Sequence, residues 1–223
     1  MFLPQYTHIV KPELKHTYLS FDEEGTLIIR SPKVSQKYIE TLLLKKAGWI
    51  RRSKEKIRLK KGKMPDFRKE GGELYFLGRA YPFKIEKQIK QKTQLLFREE
   101  TFFLSSHCED RVLFQKHIDR FYKMESEKYL PAIVEKYALK MHLFPTEIRF
   151  RKTKRQWGSC SGRNVLNFNT MLMKLPESVI AYVVVHELAH IKHKNHQKNF
   201  WKLVKTYIPD YKACIAELHT YTT

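Results

Sequence analysis

The chain has 223 residues, with 43 Lys and Arg against 23 Asp and Glu, a formal net charge of +20 and 42% hydrophobic residues. That length suffices for a substantial core in one large or two small domains, and 3 cysteines, an odd number with no paired spacing, exclude a disulfide framework and a cysteine metal site. No basic region leading into an apolar stretch opens the chain and no segment nears the length of a bilayer span, so a soluble cytoplasmic protein without a membrane partner is expected, its charge attracting polyanions such as nucleic acid or nucleotide phosphates.

Residues 1–108 read as a strand-rich α+β region. Tyr18 to Phe21 and Thr26 to Ile29 flank the turn Asp22-Glu23-Glu24-Gly25, a hairpin with a glycine available for positive φ. A helix capped by Ser35 follows, with Ile39, Leu42, Leu43, Lys46 and Ile50 as its stripe. Its end carries the densest basic run, Lys45, Arg51, Arg52, Lys54, Lys56, Arg58, Lys60, Lys61 and Lys63, which suits a solvated helix face or a nucleic-acid surface equally. The segment 62–72, with Pro65 and paired glycines, reads as a flexible connection. Four short strands come next: Glu73 to Phe76, Tyr81 to Ile85 after Leu77-Gly78-Arg79, Gln94 to Arg98, and Thr101 to Ser105.

Residues 109–223 change character. Val112, Leu113, Ile118, Phe121, Tyr122, Met124 and Tyr129 are spaced for burial on a helix, which Pro131 interrupts or restarts before a second helix reaches Met141. Glu147 to Arg151, Gln156 to Cys160 and Val165 to Phe168 then form a small sheet. Cys160 is expected to be a buried apolar thiol, and His107, His117 and His142 to be surface or interface residues.

The helix after Pro176 carries the chemistry. Val179, Ile180, Val183 and Val184 set an apolar face, and His186-Glu187-Leu188-Ala189-His190 continues it. Residues four apart on a helix are neighbours, so the two imidazoles can meet one ion while Glu187, one residue round, reaches its open position and deprotonates a water acidified there. His193 stands seven residues past His186, roughly 10 Å along the axis at about 1.5 Å per residue, too far for ligand bonds of about 2 Å on a straight helix. Reversal at Lys194-Asn195, with Asn195 as a left-handed terminator, would instead bring His196 back to the pair, with Glu217 as the fallback ligand.

On these residues, together with Phe200-Trp201, Trp157-Gly158-Ser159-Cys160-Ser161, Leu166-Asn167, Tyr182-Val183, Pro209-Asp210-Tyr211, Trp49-Ile50 and Leu77-Gly78-Arg79, the chain resembles the YgjP-like family of predicted zinc metallopeptidases in the zincin group. The resemblance implies Zn2+ on His186, His190 and His196 with Glu187 as catalytic acid and base, in an α+β fold whose second part is zincin-like. It also implies that the strand through Trp157, Gly158 and Ser159 borders the cleft and holds an extended peptide, unless those residues serve only close packing on the metal helix. Arg155 is a candidate to hold the oxyanion. Peptide-bond hydrolysis is the leading expectation. Hydrolysis of a nucleoside triphosphate, and a DNA-recruited protease like the SprT-like group, are the alternatives.

Overall fold

Strand β3 (Leu27–Ser31) buries Leu27, Ile29 and Ser31 and leaves the residues between them half-buried, the period-two pattern of a strand with one face on a core. In the computed structural model, which describes residues 4–22, 25–58, 72–87, 93–106 and 110–222, the chain divides into two units, Met1–Lys60 and Lys61–Thr223. Glu23 and Glu24 of the expected turn, the connection over 62–71, Lys60, Lys61, Lys63, His107, Cys108 and Glu109 lie outside the described residues.

In the first unit β3 is central. It pairs antiparallel with β2 (Tyr18–Phe21), the expected hairpin, and parallel with β1 (Tyr6–Val10), which the sequence reading left out. Gly25 takes φ +84 in the turn, where the Thr26 N–H donates to Asp22 Oδ1. Helix α1 (Gln36–Arg58) starts where Ser35 Oγ accepts from the Tyr38 N–H, and its Ile39, Leu43 and Ile50 close the core on Leu27 and Ile29. Of the expected stripe, Leu42 is half-buried and Lys46 is exposed. Trp49 packs on Phe21 at 5.7 Å.

The second unit opens with the four expected strands, β4 (Gly72–Phe76), β5 (Arg79–Lys87), β6 (Gln94–Arg98) and β7 (Thr101–Ser106), in the order β4-β5-β7-β6 with β5 and β7 parallel. Helix α2 (Arg111–Met141) follows as one continuous helix of 31 residues with Pro131 inside it, correcting the expected break. Phe114, Ile118, Tyr122, Ser126, Leu130, Val134 and Ala138 bury every fourth position on both sides of the proline, while Pro131 itself is exposed. The carbonyl it leaves unbonded therefore faces solvent, and the buried stripe outweighs the cost of about 3 kcal/mol for a proline inside a helix. Val112 and Met124, expected in the core, stand 78% and 57% exposed. The residue-108 division falls between β7 and α2, inside this unit, where Leu74, Phe83, Phe102 and Leu104 share one core with Phe114, Ile118 and Tyr122.

A second sheet carries β8 (Glu147–Arg151), β9 (Gly158–Cys160) and β10 (Val165–Asn169), in the order β8-β10-β9, so β9 is an edge. A 3-10 turn at Thr170–Lys174 leads into α3 (Glu177–Lys192), α4 (Lys198–Tyr207) and α5 (Tyr211–Leu218). The β4–β5 turn docks here: the N–H groups of Leu77 and Gly78 donate to the carbonyls of Met173 and Lys174 at 2.8 and 3.1 Å. Gly78 has φ +85, and a Cβ there would meet Pro176 at 2.8 Å. The Leu77-Gly78 turn thus anchors the sheet to the start of α3. The architecture is α+β, and no helix among the described residues is long and apolar enough to cross a membrane.

Candidate metal centre

Helix α3 is buried on nearly every side, through Val179, Ile180, Val183, Val184, Val185 and Leu188, so its few polar side chains open only where the packing leaves room. His186 and His190 share one face with ring centroids 5.0 Å apart. The helix ends at His193, in extended conformation (φ −126, ψ 101), with its N–H on the Ala189 carbonyl. Asn195 is not left-handed, a correction to the expected terminator: an extended residue two positions earlier makes the turn. His196 then lies in the short connection before α4, its ring 4.9 Å from His186 and 4.6 Å from His190. One nitrogen from each of the three lies within 4.8 Å of the others. Neither His193 nor Glu217 belongs to that group.

The outer nitrogens of His186 and His190 are engaged, which aims their inner ones. His186 Nδ1 lies 3.2 Å from the Tyr182 hydroxyl, and His190 Nδ1 donates to the His193 carbonyl at 3.0 Å. Each ring therefore turns Nε2 toward the shared centre, and His186 and His196 bring theirs to 3.0 Å. Phe200, fully buried, packs against all three imidazoles at 4.7 to 4.9 Å. Trp201 stacks on His196 at 5.7 Å and is backed by Tyr211 at 5.2 Å. These α4 rings confine His196, which is otherwise exposed.

Burial, then the neighbouring His190 and His196, hold the His186 imidazole down to about 3, and burial is also the main cause lowering His190. Neutral imidazole is the form that binds a metal ion. Glu187 is 6% exposed, and burial pushes its carboxyl up to about 8. A set of three nitrogens with no carboxylate among them fits a borderline transition-metal ion better than calcium or magnesium, which take oxygen ligands.

Strand β9 runs past Glu187. A Cβ at Gly158 would stand 2.7 Å from Glu187 Cγ and 2.8 Å from Oε1, so only glycine lets strand and carboxylate approach this closely. Trp157 packs against the core and Ser159 pairs with Asn167 of β10. Arg155 is exposed on the preceding loop and makes no hydrogen bond to the imidazoles or Glu187. Cys160 is half-buried rather than buried, its thiol raised by burial and 4.0 Å from Lys194 Nζ. His117 is half-buried and His142 exposed, and both stand apart from the centre.

The model of a family described as YgjP-like, metallopeptidase domain, matches residues 15–221. The chain belongs to the YgjP-like family. It carries a metallopeptidase domain, which implies a divalent metal and peptide or protein substrates. Among solved structures the chain is similar to the metallopeptidase zymogen of Pyrococcus abyssi abylysin, with 20% identity and a TM-score of 0.37 over 42% of this chain and 98% of that one. It is also similar to the zymogen of Methanocaldococcus jannaschii jannalysin, with 22% identity and a TM-score of 0.35 over 39% and 92%. No curated relative matches.

Within this YgjP-like chain two supporting residues escaped sequence reasoning. Tyr182 stands one helical turn before His186, a spacing that signals a partner for its outer nitrogen. Lys194 had no such signal: its ammonium donates to Asn164 Oδ1 at 2.7 Å and to the Ser161 carbonyl at 3.2 Å, tying the loop before His196 to the β9–β10 turn.

Proposed function

We propose that this chain is a zinc-dependent peptidase in which His186, His190 and His196 hold the ion and Glu187 moves the protons of the reaction. The observation that carries this reading is the convergence of three imidazoles, one nitrogen of each within 4.8 Å of the others, two of them with outer nitrogens already bonded to protein groups. Three nitrogen ligands with a fourth position left for water or substrate match a catalytic zinc site. When bound, zinc supplies a Lewis acid that polarises the scissile carbonyl and acidifies water.

The remaining work falls to the chain. Glu187, whose burial makes its carboxylate unusually basic, takes a proton from the attacking water and delivers one to the leaving amine. Tyr182 and the His193 carbonyl hold the imidazoles in orientation. Strand β9 holds the peptide. The bonds from the Asn169 N–H to the Trp157 carbonyl and from the Ser161 N–H to the Val165 carbonyl alternate along the ladder, so Gly158 and Cys160 turn their backbone N–H and C=O groups to the open edge. An extended substrate adds there as a further strand, beside Glu187.

The test measures zinc content and turnover on the same preparations of wild type, His190→Ala and Glu187→Gln, with unfolded protein and a nucleotide panel as substrates. Wild type should carry zinc and cleave peptide but not nucleotide, and His190→Ala should lose both metal and activity. Glu187→Gln should keep zinc and lose about 10²-fold or more in kcat, the usual worth of a positioned general base. Near-normal turnover in that variant removes Glu187 from the mechanism, and nucleotide loss that depends on Glu187 replaces the peptide reading.

A further inference from the structure

Helix α1 carries more charge than the fold uses. From Lys45 to Arg58 it sets 7 Lys and Arg residues against the single carboxylate of Glu55. Its apolar face is closed on the first unit's sheet through Ile39, Leu43 and Ile50, so the remaining residues decide what it turns outward. At about 100° per residue, Tyr38, Lys45, Trp49, Arg52 and Lys56 fall within about 60° of one another, a stripe about 27 Å long at about 1.5 Å per residue. All five are exposed, Tyr38 by 46% and Trp49 by 38%, with Trp49 resting on Phe21. Cations and aromatic rings are thus interleaved on one side of the helix.

The stripe is unanswered within the first unit. Lys45, Arg52 and Lys56 make no ion pair with a described residue. The helix's two carboxylates lie off the stripe and are engaged: Glu55 accepts from Arg58 at 2.8 and 3.0 Å, and Glu40 from Gln36 Nε2 at 3.1 Å. Cations in the last turn complement the helix dipole, which accounts for Lys56 and Arg58 but not for Lys45 and Arg52, which lie before that turn. Gly48 is a second, independent observation. Glycine disfavours a helix interior, and this one is exposed and relieves no crowding, since a Cβ there would meet only Arg52 Nη1 at 3.5 Å. It leaves a notch, one turn from Lys45 and one from Arg52, where the backbone of a ligand can come against the helix.

Cations without carboxylates among them select a polyanion, and interleaved rings select one whose own aromatic faces are free. A duplex hides the faces of its bases in the stack. A membrane surface takes up the apolar face of a helix, which here is buried in the core. From this we infer that the stripe on α1 is a docking surface for single-stranded nucleic acid. Its phosphates meet Lys45, Arg52 and Lys56, a base stacks on Trp49, and the sugar-phosphate backbone passes over Gly48. Phosphate and stacking contacts read no sequence, so the surface serves single strands in general.

The test is the anisotropy of a fluorescent oligothymidylate of about 20 nucleotides, titrated with the whole chain across a salt series; no readout involves peptide cleavage, so it stands apart from the peptidase reading. Replacing Lys45, Arg52 and Lys56 together by Gln should weaken binding by about tenfold or more and flatten the log-log salt slope by about 2, at about 0.7 for each phosphate contact. Lys128, Lys136 and Lys140 on α2, replaced together by Gln, remove the same charge and should leave affinity within about threefold. Equal loss in both triples would mean a diffuse field and overturn the surface. Trp49→Leu should weaken binding by about tenfold and Trp49→Phe should restore most of it; indifference to both removes the stacked base and with it the choice of a single strand. Gly48→Glu suits a helix better than glycine does, so it should fold at least as stably and still lose binding, and wild-type affinity there would overturn the notch and the surface built around it. Duplex bound as tightly as the single strand, preference for phosphatidylserine vesicles, or no binding to the oligonucleotide would each overturn the inference.

Discussion

Gly158→Ala probes the contact between β9 and Glu187 with a single methyl group. Gly158 is outside the positive-φ region, so alanine suits its backbone, and the three atoms nearest the added Cβ all belong to Glu187. Cγ would stand at 2.7 Å where ordinary contact begins at 3.4 Å, so Glu187 must retreat by about 0.7 Å. With the side chain only 6% exposed, there is little free space to take it up. A displacement near 1 Å at a reacting group costs about 10²-fold in rate, and overpacking costs about 1–3 kcal/mol in stability. The variant should therefore keep its metal, since the three atoms nearest the new methyl belong to Glu187 and not to an imidazole, and lose about two orders of magnitude in kcat. Gly162→Ala on the adjoining turn, where nothing lies within 4 Å, is the control and should behave as wild type. Peptide-hydrolysis kinetics, zinc content and thermal melting on the three proteins decide it. Wild-type kcat in a folded Gly158→Ala enzyme would refute the claim that Glu187 must stay where the glycine lets it lie.

Gly78→Ala combines a positive φ with a 2.8 Å clash on Pro176, so it should destabilise the protein by about 2–4 kcal/mol in denaturant melts; a loss under 1 kcal/mol would show the anchoring turn to be slack. His196→Ala should reduce zinc affinity by several orders of magnitude while His193→Ala, which keeps the backbone carbonyl that orients His190, should leave it within about tenfold, both read by competition with a chelating dye. The stability of the metal-stripped protein should depend on pH in two opposed ways. Glu187, raised from 4.5 to about 8, retains a proton in the native state that the unfolded chain releases, so stability falls as pH climbs through that window. His186, lowered from 6.5 to about 3, stays neutral while the unfolded chain protonates, so stability falls as pH drops through its own window. The two oppose each other between 4.5 and 6.5, where the lowered His190 adds to the His186 side, and above 6.5 Glu187 should cost up to about 1.4 kcal/mol per pH unit until its native value is reached. Melts in which Glu187→Gln leaves the decline above pH 6.5 unchanged would contradict its burial as the source.

Local pattern made much of this protein legible from its residues. The β2–β3 turn, the alternating strands of the four-stranded sheet and the run from Val179 to His190 each carry their information within one period of a strand or helix, a scale on which backbone geometry is nearly invariant. Pro131 shows the limit of that reasoning: whether a helix survives a proline depends on which face the core takes, and a buried stripe on both sides decided it. Strand β1 was missed for a related reason, because its partner β3 is supplied from beyond the intervening strand.

That His186 and His190 share one helix face, with Glu187 beside them, follows from the sequence alone, since a helix brings residues four apart together whatever surrounds it. The rest of the centre belongs to the tertiary structure. Which nitrogens point inward, how Trp201 confines His196, and how near Gly158 lets β9 come to Glu187 all depend on contacts between side chains that local pattern does not set. Such contacts are fixed by packing, which leaves no periodic trace in the order of the residues.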